Sequence, residues 1–375
     1  MLPLEGKLVI AIEQAVAAPM ATTRLAAAGA RVIKVEREDG DFARGYDRAA
    51  KGESSYFLWL NQGKESVCID FKSKKGAQLL EAMVRKADVL VQNLAPGALA
   101  RSGFSTDRLH EINPQLVICN ISGYGADGEV ADKRAYDLLV QAESGLISVS
   151  GSPGEPGRIG VSICDIGSGI TAYYGILEAL MKREKTGRGE EISISLFDVA
   201  ADWMAVPFIH AEYGAGAPEP SGLRHPSIAP YGAYECEDGR QILISIQNER
   251  EWKRLCKEVL QSSALFSDGR FVSNNERVQN RDALEAEISA ITATMTSMEF
   301  ETRLTHSKIA FGAINSAGDL RGHKAFRAAE YGSADGQVVT MPAPPVKWTV
   351  PHGKDGRRTP GIGEHTEAAE CEFLG

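Results

Sequence analysis

An alternation of short apolar runs with one-face helical patterns through the first 200 or so residues is the strongest constraint on the fold. Lys7 to Ile12 reads as a strand, and Pro19 sits in the opening turn of an Ala-rich helix, where its missing N–H is tolerated. Gly29 ends that helix, and Arg31 to Glu36 is a second strand. Consecutive parallel strands need a crossover, so this opening predicts a parallel, Rossmann-like sheet in an α/β protein. The alternation continues with a strand at Ser66–Phe71 and a helix at Lys74–Lys86, whose Ala77, Leu80, Met83 and Val84 share a face. Further strands are expected at Asp88–Gln92, Leu116–Ile121 and Glu191–Ser195. Short helical pieces at Pro96–Leu99 and Asp107–Ile112, a helix at Tyr136–Ile147 and a long helix from Asp198 lie between or after them.

The composition shifts near Gly214–Pro220, so residues 1–205 are expected to form the first part of a large Rossmann-like domain and 206–221 a linker. Residues 222–325 then read as a smaller α+β domain. A β-hairpin turns at Asp238-Gly239, and helices follow at Glu249–Leu260, Arg281–Thr294 and Ser297–His306. Residues 326–375 carry a Pro-rich piece, Met341 to Pro345, and a Gly- and charge-rich end. They are expected to return to the large domain.

Several function classes are disfavoured by the same sequence. A net charge of −9 does not suit an extended nucleic-acid surface. The six cysteines, at 68, 119, 164, 236, 256 and 371, show no C-x-x-C spacing, which predicts reduced thiols in a cytoplasmic protein. The N-terminal segment does not read as a signal peptide, and no apolar run approaches the ~20 residues of a membrane span. The seven histidines form no metal-type spacing, so no metal is expected. Gly167-Ser168-Gly169 lacks the G-x-S-x-G pattern of a serine hydrolase. Residues 12–19 lack the dinucleotide glycine fingerprint, which leaves Glu36 without a nicotinamide cofactor to bind.

The stretch Gly160 to Gly169 places one carboxylate, Asp165, between an apolar run and a helical pattern that starts near Ile170 and stops at Gly187. Such a carboxylate is either a helix cap or a reacting group, and the helix dipole is expected to keep it ionised. Gly167 and Gly169 are expected to admit a ligand close to the backbone. Arg37, Lys72, Arg101 and Arg134 lie nearest the strand ends; converging on one edge of the sheet, they would suit a ligand with several phosphates.

Motifs along nearly the whole chain resemble the class III CoA-transferases, the family of formyl-CoA and carnitine CoA-transferases. They are Gly29 to Arg37, Gly40-Asp-Phe-Ala-Arg44, Lys64 to Lys72, Ala87 to Gly97, Ile121 to Gly125, the Asp165 stretch, Lys185 to Gly189 and Gly363-Glu-His-Thr366. The resemblance implies that Asp165 is a nucleophile forming aspartyl-anhydride and aspartyl-CoA thioester intermediates. It implies acyl-CoA and a free carboxylic acid as substrates, no permanently bound cofactor, and two chains interlocked as a homodimer. By matching position it sets CoA against Val16, Ala17, Arg37, Ile69, Asp70, Phe71, Lys72, Asn93, Leu94, Ala95, Arg101, Arg134, Tyr136 and Asp137. The related α-methylacyl-CoA racemases use a histidine–aspartate pair where this chain has Tyr136-Asp137, and a phenol is a poor base near neutral pH. Transfer is therefore expected over racemisation, and the intact Asp165 with both following glycines argues against CoA binding without catalysis. The N-terminal third is most similar to the branch acting on C4–C5 dicarboxylates, for which Arg44, Arg224 and His225 are candidate partners of the second carboxylate.

Overall fold

A computed structural model describes residues 2–214, 216–349 and 357–375. It divides into two compact units. The first joins the chain up to Ile147 with Arg158–Phe208 and the segment from Arg327 onward; the second comprises Ser148–Gly157 and Ile209–Phe326.

The first unit is built on six parallel strands: β1 (Leu8–Ile12), β2 (Arg31–Glu36), β3 (Glu65–Cys68), β4 (Val89–Gln92), β5 (Val117–Ser122) and β6 (Glu191–Ser195). Their order across the sheet is β3-β2-β1-β4-β5-β6. Alternate side chains of each strand point to opposite faces, and both faces are covered, which is why the central strands β1 and β4 are almost continuously apolar. Val9, Ala11, Val32, Val89, Val91 and Val117 pack on one face with two helices, α1 (Ala17–Ala27) and a 24-residue helix, Ile163–Thr186. Ile10, Ile12, Ile33, Val35, Val67 and Leu90 pack on the other with α2 (Lys74–Lys86). The chain then runs through α3 (Asp137–Glu143) into the long helix, α4.

Helix α4 begins seven residues before the expected Ile170, so Asp165 lies in its first turn and Gly167 and Gly169 lie inside it. Both glycines serve packing. A Cβ at Gly167 would come within 2.1 Å of the Trp203 ring, and one at Gly169 within 2.5 Å of Ala17 O and of the Met20 side chain. The close backbone approach inferred from the sequence is real, but α1 and Trp203 occupy it. The helix expected over 136–147 is interrupted at Gly145, whose φ of +86° belongs to the left-handed region. The long helix expected from Asp198 is likewise two helices, Leu196–Trp203 and Ala205–Tyr213, so residues 206–213 of the expected linker are helical.

The exposed edge of β3 is closed by the C-terminal motif. Ser66 N–H donates to His365 Nδ1 (3.2 Å) and His365 N–H to Ser66 O (2.9 Å). Cys68 N–H donates to Thr366 Oγ1 (3.0 Å) and Gly363 N–H to Ser66 Oγ (2.9 Å). An edge whose donors and acceptors are met in this way offers no template for another strand. The following helix, Thr366–Leu374, buries Ala369 and Phe373 on the α2 face of the sheet. The Pro-rich piece ends a hairpin of Ala328–Gly332 with Val338–Pro342, and the Gly- and charge-rich stretch at 351–356 lies outside the described residues.

In the second unit the expected hairpin is formed by β7 (Tyr231–Glu235) and β8 (Gln241–Ser245), with β9 (Ala310–Ala313) added antiparallel beside β8. Trp252, Leu255, Phe271, Leu284, Ile288, Phe300 and Leu304 form its core. The short loop 151–157 belongs here, tied by Gly222 N–H donating to Gly151 O at 2.8 Å.

Candidate active site

The strand order reverses between β1 and β4, and open parallel sheets bind ligands beyond the carboxyl ends of the strands at such a point. The chain leaving β1 forms a tight turn over 13–16, and Asn93, just past β4, clamps it. Asn93 Oδ1 accepts from Gln14 N–H (2.9 Å) and its Nδ2 donates to Gln14 O (2.8 Å). Val16 and Ala17 are each only 3% exposed, so they can offer a ligand main-chain groups but little side chain. Val16 precedes α1 without any side-chain acceptor capping the helix, so the first-turn N–H groups lack that partner.

The other residues matched to CoA fall into two groups. Ile69 is buried in the sheet core, and Phe71 and Leu94 pack against the same cluster. Asp70 organises its own turn, its carboxylate accepting from Lys72 N–H at 3.0 Å. Arg37, Lys72, Ala95, Arg101 and Arg134 are exposed. Arg37 faces Asp39 at 3.5 Å, a solvent pair weak enough to exchange for a phosphate, and Arg101 Nη1 reaches Pro96 O at 3.0 Å. In chain order, Arg37, Lys72, Arg101 and Arg134 lie in the connections that follow β2, β3, β4 and β5.

At the head of α4 the structure joins two carboxylates that the sequence separates by 28 positions. Asp137 Oδ1 accepts from the N–H groups of Cys164 (2.8 Å) and Asp165 (3.2 Å). Its Oδ2 accepts from Gln141 Nε2 at 2.7 Å, while Gln141 Oε1 accepts from Ile159 N–H at 2.9 Å. Asp137 is thus the acceptor that caps α4, and Asp165 is left partly buried beside a like charge. Burial first, and Asp137 second, push the Asp165 carboxyl up to about 7. The expectation of a carboxylate kept ionised by the helix dipole is therefore corrected: the free N–H groups serve Asp137. Tyr136 precedes α3 and is 65% exposed.

Tyr46 was not singled out in the sequence. Burial, then the charges of Asp41 and Asp165, push its phenol up to about 12, so it remains a protonated donor near the nucleophile candidate. It packs edge-on against Tyr56 at 5.5 Å and against Phe42 at 5.7 Å. The signal that could have found it is an aromatic residue two positions after Arg44, in a Gly- and charge-rich loop following a strand.

The candidate dicarboxylate partners are differently placed. Arg44 is held by Glu36 at 2.8 and 3.0 Å and by Pro360 O at 3.1 Å, with its guanidinium over the Phe57 ring. Glu36 also accepts from Ser66 Oγ and Asp41 N–H, so neither of its oxygens faces a ribose. In the second unit, Arg224 pairs with Glu285 at 2.5 Å and Asp282 at 3.4 Å, and lines an open pocket of about 440 Å³ together with Tyr234. His225 stacks on Tyr231 at 5.2 Å. No helix among the described residues is long and apolar enough to cross a membrane, and none of their His, Cys, Asp and Glu side chains cluster as a metal site would require.

Residues 4–366 match the family model of CoA-transferase family III. The chain is 33% identical to the acetyl-CoA:oxalate CoA-transferase of Acetobacter aceti, over 99% of this chain and 96% of that one. It is 32% identical to the succinate–glutarate CoA-transferase of Agrobacterium fabrum over the same shares of each. A crystal structure of a CAIB/BAIF family protein from Brucella suis superposes with a TM-score of 0.87 at 31% identity, covering 99% of both chains. With an α/β sheet of matching architecture and this extent of similarity, the chain belongs to CoA-transferase family III and is an enzyme that transfers CoA.

Proposed function

We propose that the protein moves CoA from an acyl-CoA to a free short-chain dicarboxylic acid through covalent intermediates on Asp165. The observation that carries this reading is Asp165 itself, a partly buried carboxyl in the first turn of α4 whose proton is lost near neutral pH. Once ionised, its oxygen attacks the thioester carbonyl. Collapse of the tetrahedral adduct expels CoA as the thiolate and leaves an aspartyl–acyl anhydride. The thiolate attacks the aspartyl carbonyl of that anhydride, releasing the donor acid and forming aspartyl-CoA thioester. An acceptor carboxylate repeats the sequence in reverse, and Asp165 is regenerated. Splitting the exchange in this way replaces one difficult displacement by several easier ones.

The chain's own groups supply the rest. Gly167 and Gly169 lie within α4, so the first-turn N–H groups of α1 are better candidates than theirs to hold the oxyanion. Tyr46 is a further donor for a carboxylate or a carbonyl oxygen. Arg37, Lys72, Arg101 and Arg134 would bind the phosphates of CoA. The side chains of Ile69, Phe71 and Leu94 support those loops from the core. A racemase would need a base where Tyr136 stands, which disfavours that chemistry. A homodimer is consistent with the exposed apolar side chains of Trp203, Val206, Phe208, Ile209 and Tyr213 on two consecutive helices, apolar surface that a second copy would cover.

Specificity for dicarboxylates is supported by relatives named for succinate, glutarate and oxalate. Both arginines are already paired, Arg44 with Glu36 and Arg224 with Glu285; Arg224 is the better remaining candidate for the second carboxylate because its more exposed pair exchanges more readily. Two measurements test the proposal. Incubation with succinyl-CoA and a panel of free acids, followed by mass, should show transfer that disappears in Asp165→Ala; transfer surviving in that variant contradicts the mechanism. Arg224→Ala should reduce transfer to a dicarboxylate more than to a monocarboxylate, and an equal loss removes Arg224 from the site.

A further inference from the structure

Beneath the turn that leaves β1 lies a fully buried group of charges which the proposed chemistry does not use. The side chains of Glu13, Lys34, Asp41 and Lys64 are all 0% exposed. Lys64 Nζ reaches Glu13 Oε1 at 2.6 Å, and Lys34 Nζ reaches Asp41 Oδ2 at 2.8 Å and Glu13 Oε1 at 3.5 Å. Buried ion pairs contribute little to stability over an apolar substitute, so their persistence points to a specified geometry.

The remaining hydrogen bonds of the cluster show which geometry. Lys34 Nζ also donates to Glu13 O (3.4 Å), and Lys64 Nζ to Pro19 O (3.3 Å). Asp41 Oδ1 accepts from Ala15 N–H (3.2 Å) as well as from Ala43 N–H (2.9 Å). With the Asn93 clamp on Gln14, the main chain is held at residues 13, 14, 15 and 19. Ala15 between them has φ +62°, a left-handed conformation that alanine disfavours. On its far side the turn meets the helix of Asp165. Ile166 packs with Ala15, Val16 and Met20, and Ala17 O sits where Gly169 lacks a Cβ.

We infer that Asp41 is a positioning residue for catalysis: it holds Ala15 in the left-handed conformation and so fixes the 14–17 main chain against the helix that carries Asp165. Lys34, Lys64 and Glu13 orient Asp41 and brace the two ends of the turn. This rests on Asp165 as the nucleophile, and displacements of about 1 Å at such a site can lower turnover by two orders of magnitude.

The test is a rescue. Asp41→Ala should lower kcat by roughly tenfold or more, on the scale expected for a misplaced site. Adding Ala15→Gly, which adopts φ > 0 freely, should restore at least about fivefold of that loss because the turn no longer needs the Asp41 acceptor. General loss of packing around a buried charge would not be repaired by a glycine in the loop. A double variant no faster than Asp41→Ala overturns the inference. Should Asp41→Ala not fold, Ala15→Pro decides the question, since proline fixes φ near −65° and removes the N–H. That variant, assayed below the melting temperature that the forced φ and the lost N–H will lower, should lose roughly a hundredfold in kcat, and retention of more than about a tenth of wild-type turnover overturns the inference. Asp165→Ala is assayed alongside: transfer surviving there removes the nucleophile reading, whereas the rescue reports on the turn alone.

Discussion

Two groups of buried acids lie at the same end of the sheet and are treated in opposite ways. At the head of α4, Asp165 and Asp137 are half-buried like charges, and among the described residues no cation pairs with either. Beneath β1 and β2, Glu13 and Asp41 are matched by Lys34 and Lys64. The consequences are opposite as well. Burial pushes the Glu13 carboxyl up, but Lys64 and Lys34 outweigh it and hold the group below its ordinary 4.5. Burial and Asp137 act together on Asp165 and raise it to about 7. The paired arrangement holds Glu13 ionised, although burial brings Lys64 down to about 8; the unpaired one leaves a carboxyl able to change its protonation state near neutral pH.

The comparison is broken most severely at the balanced site. Lys64→Met leaves Glu13 short of its nearest cation in a site closed to water, and should cost about 3–5 kcal/mol of stability. Urea unfolding at pH 7.5 measures this, and a loss below about 1 kcal/mol would mean that water or a rearranged Lys34 compensates.

Removing the acid from the unbalanced site should do the reverse. A carboxyl whose folded pKa lies above its unfolded 3.8 favours folding only while protonated. Its cost is absent below about pH 4, grows through the interval, and is complete above about 7. Asp165→Asn should therefore stabilise the protein by about 2 kcal/mol at pH 8 and much less at pH 4.5. Equal stabilisation at both values would contradict the raised carboxyl.

A smaller effect isolates Asp137. Asp137→Asn keeps an oxygen for the Cys164 and Asp165 N–H groups but removes the charge. The acid limb of kcat/KM, which follows ionisation of Asp165, should move to lower pH by about one unit, or ~1.4 kcal/mol in protonation free energy. An unmoved limb would assign the shift to burial alone.

The sheet was legible because its strands and helices differ in period. The run Arg31-Val-Ile-Lys-Val-Glu36 and the one-face pattern of Lys74–Lys86 both fall where the structure has them. The start of α4 was not legible, since Gly167 and Gly169 lower helix propensity and their reason, the approach of Trp203 and Ala17, is tertiary. β9, read Ala-Phe-Gly-Ala, has neither alternation nor branched residues and forms only because β8 offers an edge. Asp165 stood out locally, whereas its partner Asp137 is brought in by the fold. Lys34 did carry an unread signal: a lysine inside an apolar strand of a sheet covered on both faces must be buried, and a buried lysine requires acids around it.

The central claim is that Asp165 becomes covalently attached to CoA. Wild-type protein incubated with succinyl-CoA in the absence of an acceptor acid, then quenched in acid, digested and weighed, tests it directly. The account predicts that the peptide bearing Asp165 gains the mass of CoA less one water, and that the adduct disappears when an acceptor acid is added before the quench. Transfer to an acceptor at full rate in a protein whose Asp165 peptide never carries CoA would contradict it.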